Sequence, residues 1–326
     1  MGTAVDRDVR RHELLLLLSS LLPDDVVWQA RAWLAADRWS SAVRAVLDVF
    51  REWGEPLPAG AADILADGTD GRVAARIGEV GEAPDQPVPV WRFRPPEEVD
   101  PGLAAEAAQL VRDQLRDVPG TQTAWQVGRF PELTGSGRLV HLVEVEDGPE
   151  PHDLAARLAD RLWHAGLASP QVEVFRPENA LDPHYHAPAL STATEIHADG
   201  PAPVIELALF DPAEQRREPD GPQRQAQLAY LRSGEPLTED DEWAPDLFTE
   251  DDEPVVPLTL RTDGRWVWSD ATAHYLEVHG VALPEGLRAH IAESGDRARM
   301  PTRREWVAMV HLEREQGEPL TMETEP

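Results

Sequence analysis

Neither lysine nor cysteine occurs in this 326-residue chain, so all thirty of its basic side chains are arginine. Without lysine there is no phosphate-binding P-loop and no Schiff base, because a guanidinium does not shed its proton. Without cysteine there is no thiolate nucleophile, no disulfide and no sulfur-ligated zinc or iron–sulfur centre. Asparagine occurs once, as Asn179, whereas alanine, arginine, glycine and proline abound. That bias is the mark of GC-rich coding, and the missing chemistry is its by-product. Catalysis, if there is any, must rest on His, Asp, Glu, Ser, Thr, Tyr and Arg.

Long apolar runs are missing as well, and none reaches the ~18 residues needed to span a bilayer. The opening Arg10-Arg11-His12-Glu13 and the run Leu14 to Leu22 imitate a secretion signal. Glu13 abuts that run, Asp24 and Asp25 follow it, and no A-x-A cleavage site directly follows the run. A cytoplasmic location is therefore expected, with no membrane association. What the chain has in excess is negative charge: sixty acids against thirty arginines leave a net −30. Such a field repels nucleic acid and anionic membranes and favours basic partners, although halophilic adaptation or plain solubility would produce the same balance.

Hydrophobic periodicity predicts an α+β chain of several parts. Residues 1–66 read as a helical bundle, with apolar stripes at Leu14, Leu17, Leu18, Leu21 and Leu22, at Val26, Val27, Ala30, Trp33 and Leu34, and at Trp39, Val43, Val46, Leu47 and Phe50. Gly, Asp and Pro over 67–87 read as linker. Over 88–176 the pattern is strand at Val88 to Phe93, helix at Leu103 to Leu115, strands at Thr121 to Val127 and Arg138 to Val145, helix through Leu154, Leu158, Leu162 and Trp163, and strand at Val172 to Phe175. That β-α-β-β-α-β order predicts a ferredoxin-like sheet with both helices on one face. A mixed connecting region covers 177–234, with a strand at Val204 to Phe210 and a helix at Arg224 to Leu231. An acidic tract follows over 235–254. Residues 255–316 read as a hairpin across Thr262-Asp263-Gly264, joining Val255–Arg261 to Arg265–Trp268, and then helices capped by Ser269 and Gly280 and opened by Pro284. The tail, 317–326, is expected to fray.

Among motifs of chemistry, no H-E-x-x-H, G-x-S-x-G, G-x-G-x-x-G or D-x-D-x-D-G pattern is present. His184-Tyr185-His186, with His197 eleven residues on and Glu195 beside it, has ligand types for a three-nitrogen metal site, with Glu195 as general base of a metal-dependent hydrolase. Pro183 and Pro188 bracket it as a loop, where an exposed His pair is commonly inert. His274, His279 and His290 fall on the C-terminal helices, where an imidazole near a helix end complements the dipole. The acidic tract carries ten acids and no arginine, and Thr-Glu-Asp-Asp-Glu occurs twice, at 238–242 and 249–253, around Trp243, Leu247 and Phe248. It is either a solvated connector or a docking strip in which charge steers and aromatics anchor.

The stretch Val255-Val256-Pro257-Leu258 through Thr262-Asp263-Gly264-Arg265-Trp266-Val267-Trp268 to Tyr275-Leu276, His279-Gly280-Val281, Leu287 and His290-Ile291 resembles a recurrent segment in uncharacterised proteins of high-GC Gram-positive bacteria. Val174-Phe175 through Tyr185-His186-Ala187-Pro188-Ala189-Leu190, and Phe210-Asp211-Pro212, resemble the same proteins, about half the chain in all. The resemblance implies an association with polymorphic-toxin and immunity neighbourhoods and brings no catalytic residues. The favoured expectation is a non-catalytic module, without cofactor, that binds a basic protein such as a toxin or nuclease. Its contacts would be Asp240, Asp241, Trp243, Asp246, Asp251 and Asp252, with Trp266 and Trp268 as further anchors. The alternatives are the hydrolase on His184, His186 and His197, and an assembly subunit whose sheet pairs with a second copy.

Overall fold

The computed structural model describes residues 4–83, 91–132, 135–208, 216–237, 242–250 and 252–316. Helices and strands both contribute, and the chain divides into two compact units, 1–201 and 202–326. Each has its own apolar cores.

The first unit opens with helices α1 (Ala4–Leu18), α2 (Asp24–Ala35), α3 (Trp39–Trp53), α4 (Ala61–Ala66) and α5 (Gly71–Val80). The leucine stripe of α1 buries Leu14, Leu15 and Leu18 against Val27, Val43, Leu47 and Phe50. Pro23 breaks the chain before α2, and Asp24 and Asp25 occupy its first turn, where carboxylates suit the helix dipole. Gly54 ends α3 in the left-handed region, at φ 69°. The span expected to be linker holds α5, which Asp70 caps by accepting the amides of Arg72 and Val73.

Then come β1 (Trp91–Arg94), α6 (Pro101–Leu115), β2 (Thr121–Pro131), β3 (Arg138–Val145), α7 (Pro151–His164), β4 (Gln171–Phe175), α8 (His186–Thr192) and β5 (Thr194–Ala198). The β-α-β-β-α-β order is as read from the pattern, but the pairing is not ferredoxin-like. The sheet runs β1-β2-β3-β4, with β5 also on β2. A split βαβ would set β1 between β3 and β4. Instead β3-α7-β4 closes as a direct parallel unit and leaves no gap. Four-residue β1 covers only residues 128–131 of β2, and β5 takes residues 123–126 of the same edge. Both are antiparallel to β2. The helical segment is continuous with this layer: Trp28 of α2 stacks on Trp163 of α7 at 5.9 Å between ring centroids.

The second unit contains β6 (Glu206–Ala208), α9 (Pro222–Arg232), β7 (Glu235–Pro236), β8 (Trp243–Pro245), β9 (Pro254–Pro257), β10 (Leu260–Thr262), β11 (Trp266–Ser269), α10 (Asp270–His279), α11 (Glu285–Ser294) and α12 (Arg303–Gln316). One sheet runs β6-β11-β10-β7, and β8 and β9 pair separately. The Asp263-Gly264 turn joins β10 to β11 as expected, with Gly264 at φ 90°. The expected strand Val255–Arg261 is two strands, however, because β9 pairs with β8 and only β10 joins the hairpin. Ser269 caps α10 by accepting the Ala271 amide at 3.2 Å, and Gly280 ends it at φ 67°. The C-terminal tail from 317 lies outside the described residues.

Candidate functional site

The His184/His186/His197 grouping does not form. His186 opens α8 and points inward: its Nδ1 accepts the Asp182 amide at 3.0 Å, which leaves Nε2 to donate to Glu173 at 2.9 Å. Both ring nitrogens are thus spent inside the fold. His184 is exposed in the preceding turn, and His197 is half-buried on β5. Among the described residues these three bring no common set of ligand atoms together.

What His186 joins is a buried ionic network that no spacing in the sequence announces. Glu173 of β4 accepts from the Tyr185 hydroxyl at 3.1 Å and lies 3.9 Å from the Arg31 guanidinium. Arg129 of β2 donates to Tyr185 Oη at 2.7 Å, to the Ser19 carbonyl at 2.9 Å and to Asp24, and lies over the Trp91 ring. Burial alone would raise the Glu173 carboxyl. The hydrogen bond from His186, with the charges of Arg31 and Arg129, outweighs it and holds the group at about 2. Burial likewise pushes the Tyr185 hydroxyl far above its ordinary range. Glu173, Tyr185, His186, Arg31 and Arg129 are all buried, so the network lies in the interior.

Among the described residues, the second unit holds two His–Asp clusters. In one, Asp263 of the β10–β11 turn accepts the Arg265 and Trp266 amides on Oδ1, and Tyr230 and His290 on Oδ2, the last two at 2.5 Å each. Ser294 stands 3.2 Å from the same His290 Nε2. A relay that activates serine needs carboxylate and hydroxyl on opposite ring nitrogens; here both meet Nε2, so this is a structural knot and not a catalytic triad.

The other cluster answers best to the description of a site. Asp246 lies in the turn after β8, where its Oδ1 accepts the Phe248 amide at 2.9 Å. Its Oδ2 faces His274 Nε2 at 2.9 Å and His279 Nε2 at 2.7 Å, both from α10. Burial would raise this carboxyl, but the donors from His274, His279 and Phe248 overcome it and hold it at about 2. The turn is fastened further by the Leu247 amide, which donates to Tyr275 Oη at 3.1 Å, and by Val256, which packs on Ala271 and Tyr275. His279 therefore does more than complement the helix dipole. His274 also lines a cavity of about 300 Å³ with Arg232, Pro257, Arg261, Asp270, Ala273 and Glu277.

Of the expected contact residues, Asp240, Asp241 and Asp251 lie outside the described residues. Asp246 is buried by its two imidazoles and so is a tether, not a surface contact. Trp266 and Trp268 are core residues: they pack with Leu228, Tyr230 and Leu287, and Trp268 Nε1 donates to the Leu231 carbonyl at 3.1 Å. They present no face to a partner. Trp243 and Asp252 are exposed, as a docking role requires. No family model matches this sequence, and no curated protein or solved structure matches it either. Among the described residues no helix is long and apolar enough to cross a membrane.

Proposed function

We propose that the chain is a non-catalytic binding protein whose β8–β9 hairpin docks on a basic protein. The carrying observation is the concentration of exposed large apolar side chains on that hairpin: Trp243 (53% exposed), Leu247 (51%), Phe248 (40%) and Val255 (42%). Exposed Glu242, Glu250, Asp252 and Glu253 surround them, and no arginine interrupts residues 235–254. Apolar anchors ringed by charge of one sign suit a partner of the opposite sign: charge speeds the encounter, and the indole supplies the buried area. The inner side of the hairpin packs on α10 through Val256, which supports reading its outer side as a presented surface. A toxin or nuclease domain with a cationic groove is the class of partner that the sequence resemblance suggests.

The test is capture from lysate of the source cells on immobilised wild-type chain, with a Trp243→Ala, Leu247→Ser double variant in parallel. The reading requires a basic protein held by the wild type and released by the variant. Equal retention on both columns would refute it.

A further inference from the structure

We infer that Asp246, His274 and His279 form a binding site for one divalent transition-metal ion of the zinc class, which staples the β8–β9 hairpin to α10. Their ligand atoms all lie within 4.8 Å of one another, and no other group of three His or acidic residues among the described ones does the same. Two imidazoles and one carboxylate are the donor set that zinc accepts with a fourth position left for water or a further ligand, and imidazole favours zinc over calcium or magnesium.

The geometry needs little adjustment. An ion about 2.0–2.1 Å from each ligand atom at tetrahedral angles sets those atoms about 3.3 Å apart. The two Asp246–His separations are already 2.9 and 2.7 Å, so each must open by about half an ångström to admit an ion, and the two imidazole nitrogens lie within 4.8 Å of each other. Asp246 is held for the purpose: the Phe248 amide fixes Oδ1 and turns Oδ2 toward the rings. His279 is kept in place by the Phe248 ring, 5.0 Å away between centroids, and by Tyr275. In the present arrangement each Nε2–H donates to Oδ2. Metal uptake replaces those two hydrogen bonds with bonds from both nitrogens and the oxygen to the ion: each ring gives up its Nε2 proton to solvent and keeps, or takes from solvent, one on Nδ1.

This inference does not depend on the docking proposal. Metal uptake is read on the chain alone and partner capture on metal-free chain, so either can fail without the other. The experiment is calorimetric titration of tag-free, chelator-stripped full-length protein with zinc chloride, followed by cobalt(II) substitution and visible absorption. The expected result is one ion per chain and the strong visible bands of four-coordinate cobalt. His274→Gln and His279→Gln should each weaken binding by more than the ~10–100-fold typical of losing a mere orienting neighbour. A His184→Gln, His197→Gln variant should bind as the wild type does. Circular dichroism checks that each variant is folded, and the wild-type titration decides the matter even if one is not. A stripped wild-type chain that takes up no stoichiometric ion would overturn the inference, and so would undiminished binding by folded His274→Gln and His279→Gln chains.

Discussion

Glu173 and Arg31 are unequal partners. The carboxylate receives Tyr185 and His186 as well as the nearby guanidinium, whereas none of the Arg31 nitrogens has a hydrogen-bond acceptor among the described residues. Glu173→Leu would strand a buried cation and should cost about 3–5 kcal/mol, while Arg31→Met leaves a carboxylate that is still satisfied and should cost much less. Urea midpoints of the two variants measure this, and the reverse ranking would contradict it. Two buried imidazoles give the same unit an acid-sensitive stability. His12 donates through Nε2 to the Val174 carbonyl, and burial lowers it to about 3. His141 Nε2 accepts from Gln126, whose amide is oriented by the Ala104 carbonyl, and burial lowers it to about 4. Below the unfolded value of about 6.5 the unfolded chain takes up protons that the folded chain refuses. Stability is therefore complete above about pH 7 and falls on acidification by about 1.4 kcal/mol per pH unit for each ring. Urea unfolding followed from about pH 7 to about pH 5 should show that slope, and His141→Gln should roughly halve it. A flat profile would show that neither ring is held neutral.

At the scale of elements, local pattern was informative and pairing was not. The stripes of α1 to α3, the caps at Ser269 and Gly280 and the Asp263-Gly264 turn each act within a few residues, so the sequence displays them directly, whereas α5 and its Asp70 cap fall in the span read as linker. Strand order depends on which distant edges meet: nothing in residues 91–94 says that β1 and β5 will divide one edge of β2. The candidate site was half legible for the same reason. Asp246 stood out as part of an acidic run, but its two imidazoles lie 28 and 33 residues away and five residues apart on α10, a spacing that matches no metal motif. Trp266 and Trp268 looked like anchors because indoles at alternate positions read equally well as an exposed or an inward face. Packing around the second is tight: a Cβ on Gly234 would come within 2.4 Å of the Trp268 ring. Gly234→Ala should accordingly cost about 1–3 kcal/mol by overpacking, read as a lowered melting temperature. An unchanged value would mean that the indole has room to yield.

For the molecule as a whole, the net charge of −30 makes association with a cationic partner dependent on salt. Raising ionic strength from about 0.1 M to about 1 M shortens the Debye length from about 10 Å to about 3 Å. The association rate with a captured basic protein should fall steeply over that range, whereas dissociation, which the proposed docking assigns to Trp243 and its neighbours, should change less. Surface plasmon resonance separates the two, and an association rate indifferent to salt would argue against charge steering. Assembly through the sheet of the first unit is limited by how that sheet ends. All five residues of outermost β4 are buried, and the His12 imidazole occupies the Val174 carbonyl. Among the described residues, only short β1 and β5 stand on the opposite margin. An incoming polypeptide hunting for a free backbone ladder would meet two short strands on one flank and, on the other, a strand whose Val174 carbonyl is already taken, both of which oppose edge-to-edge growth.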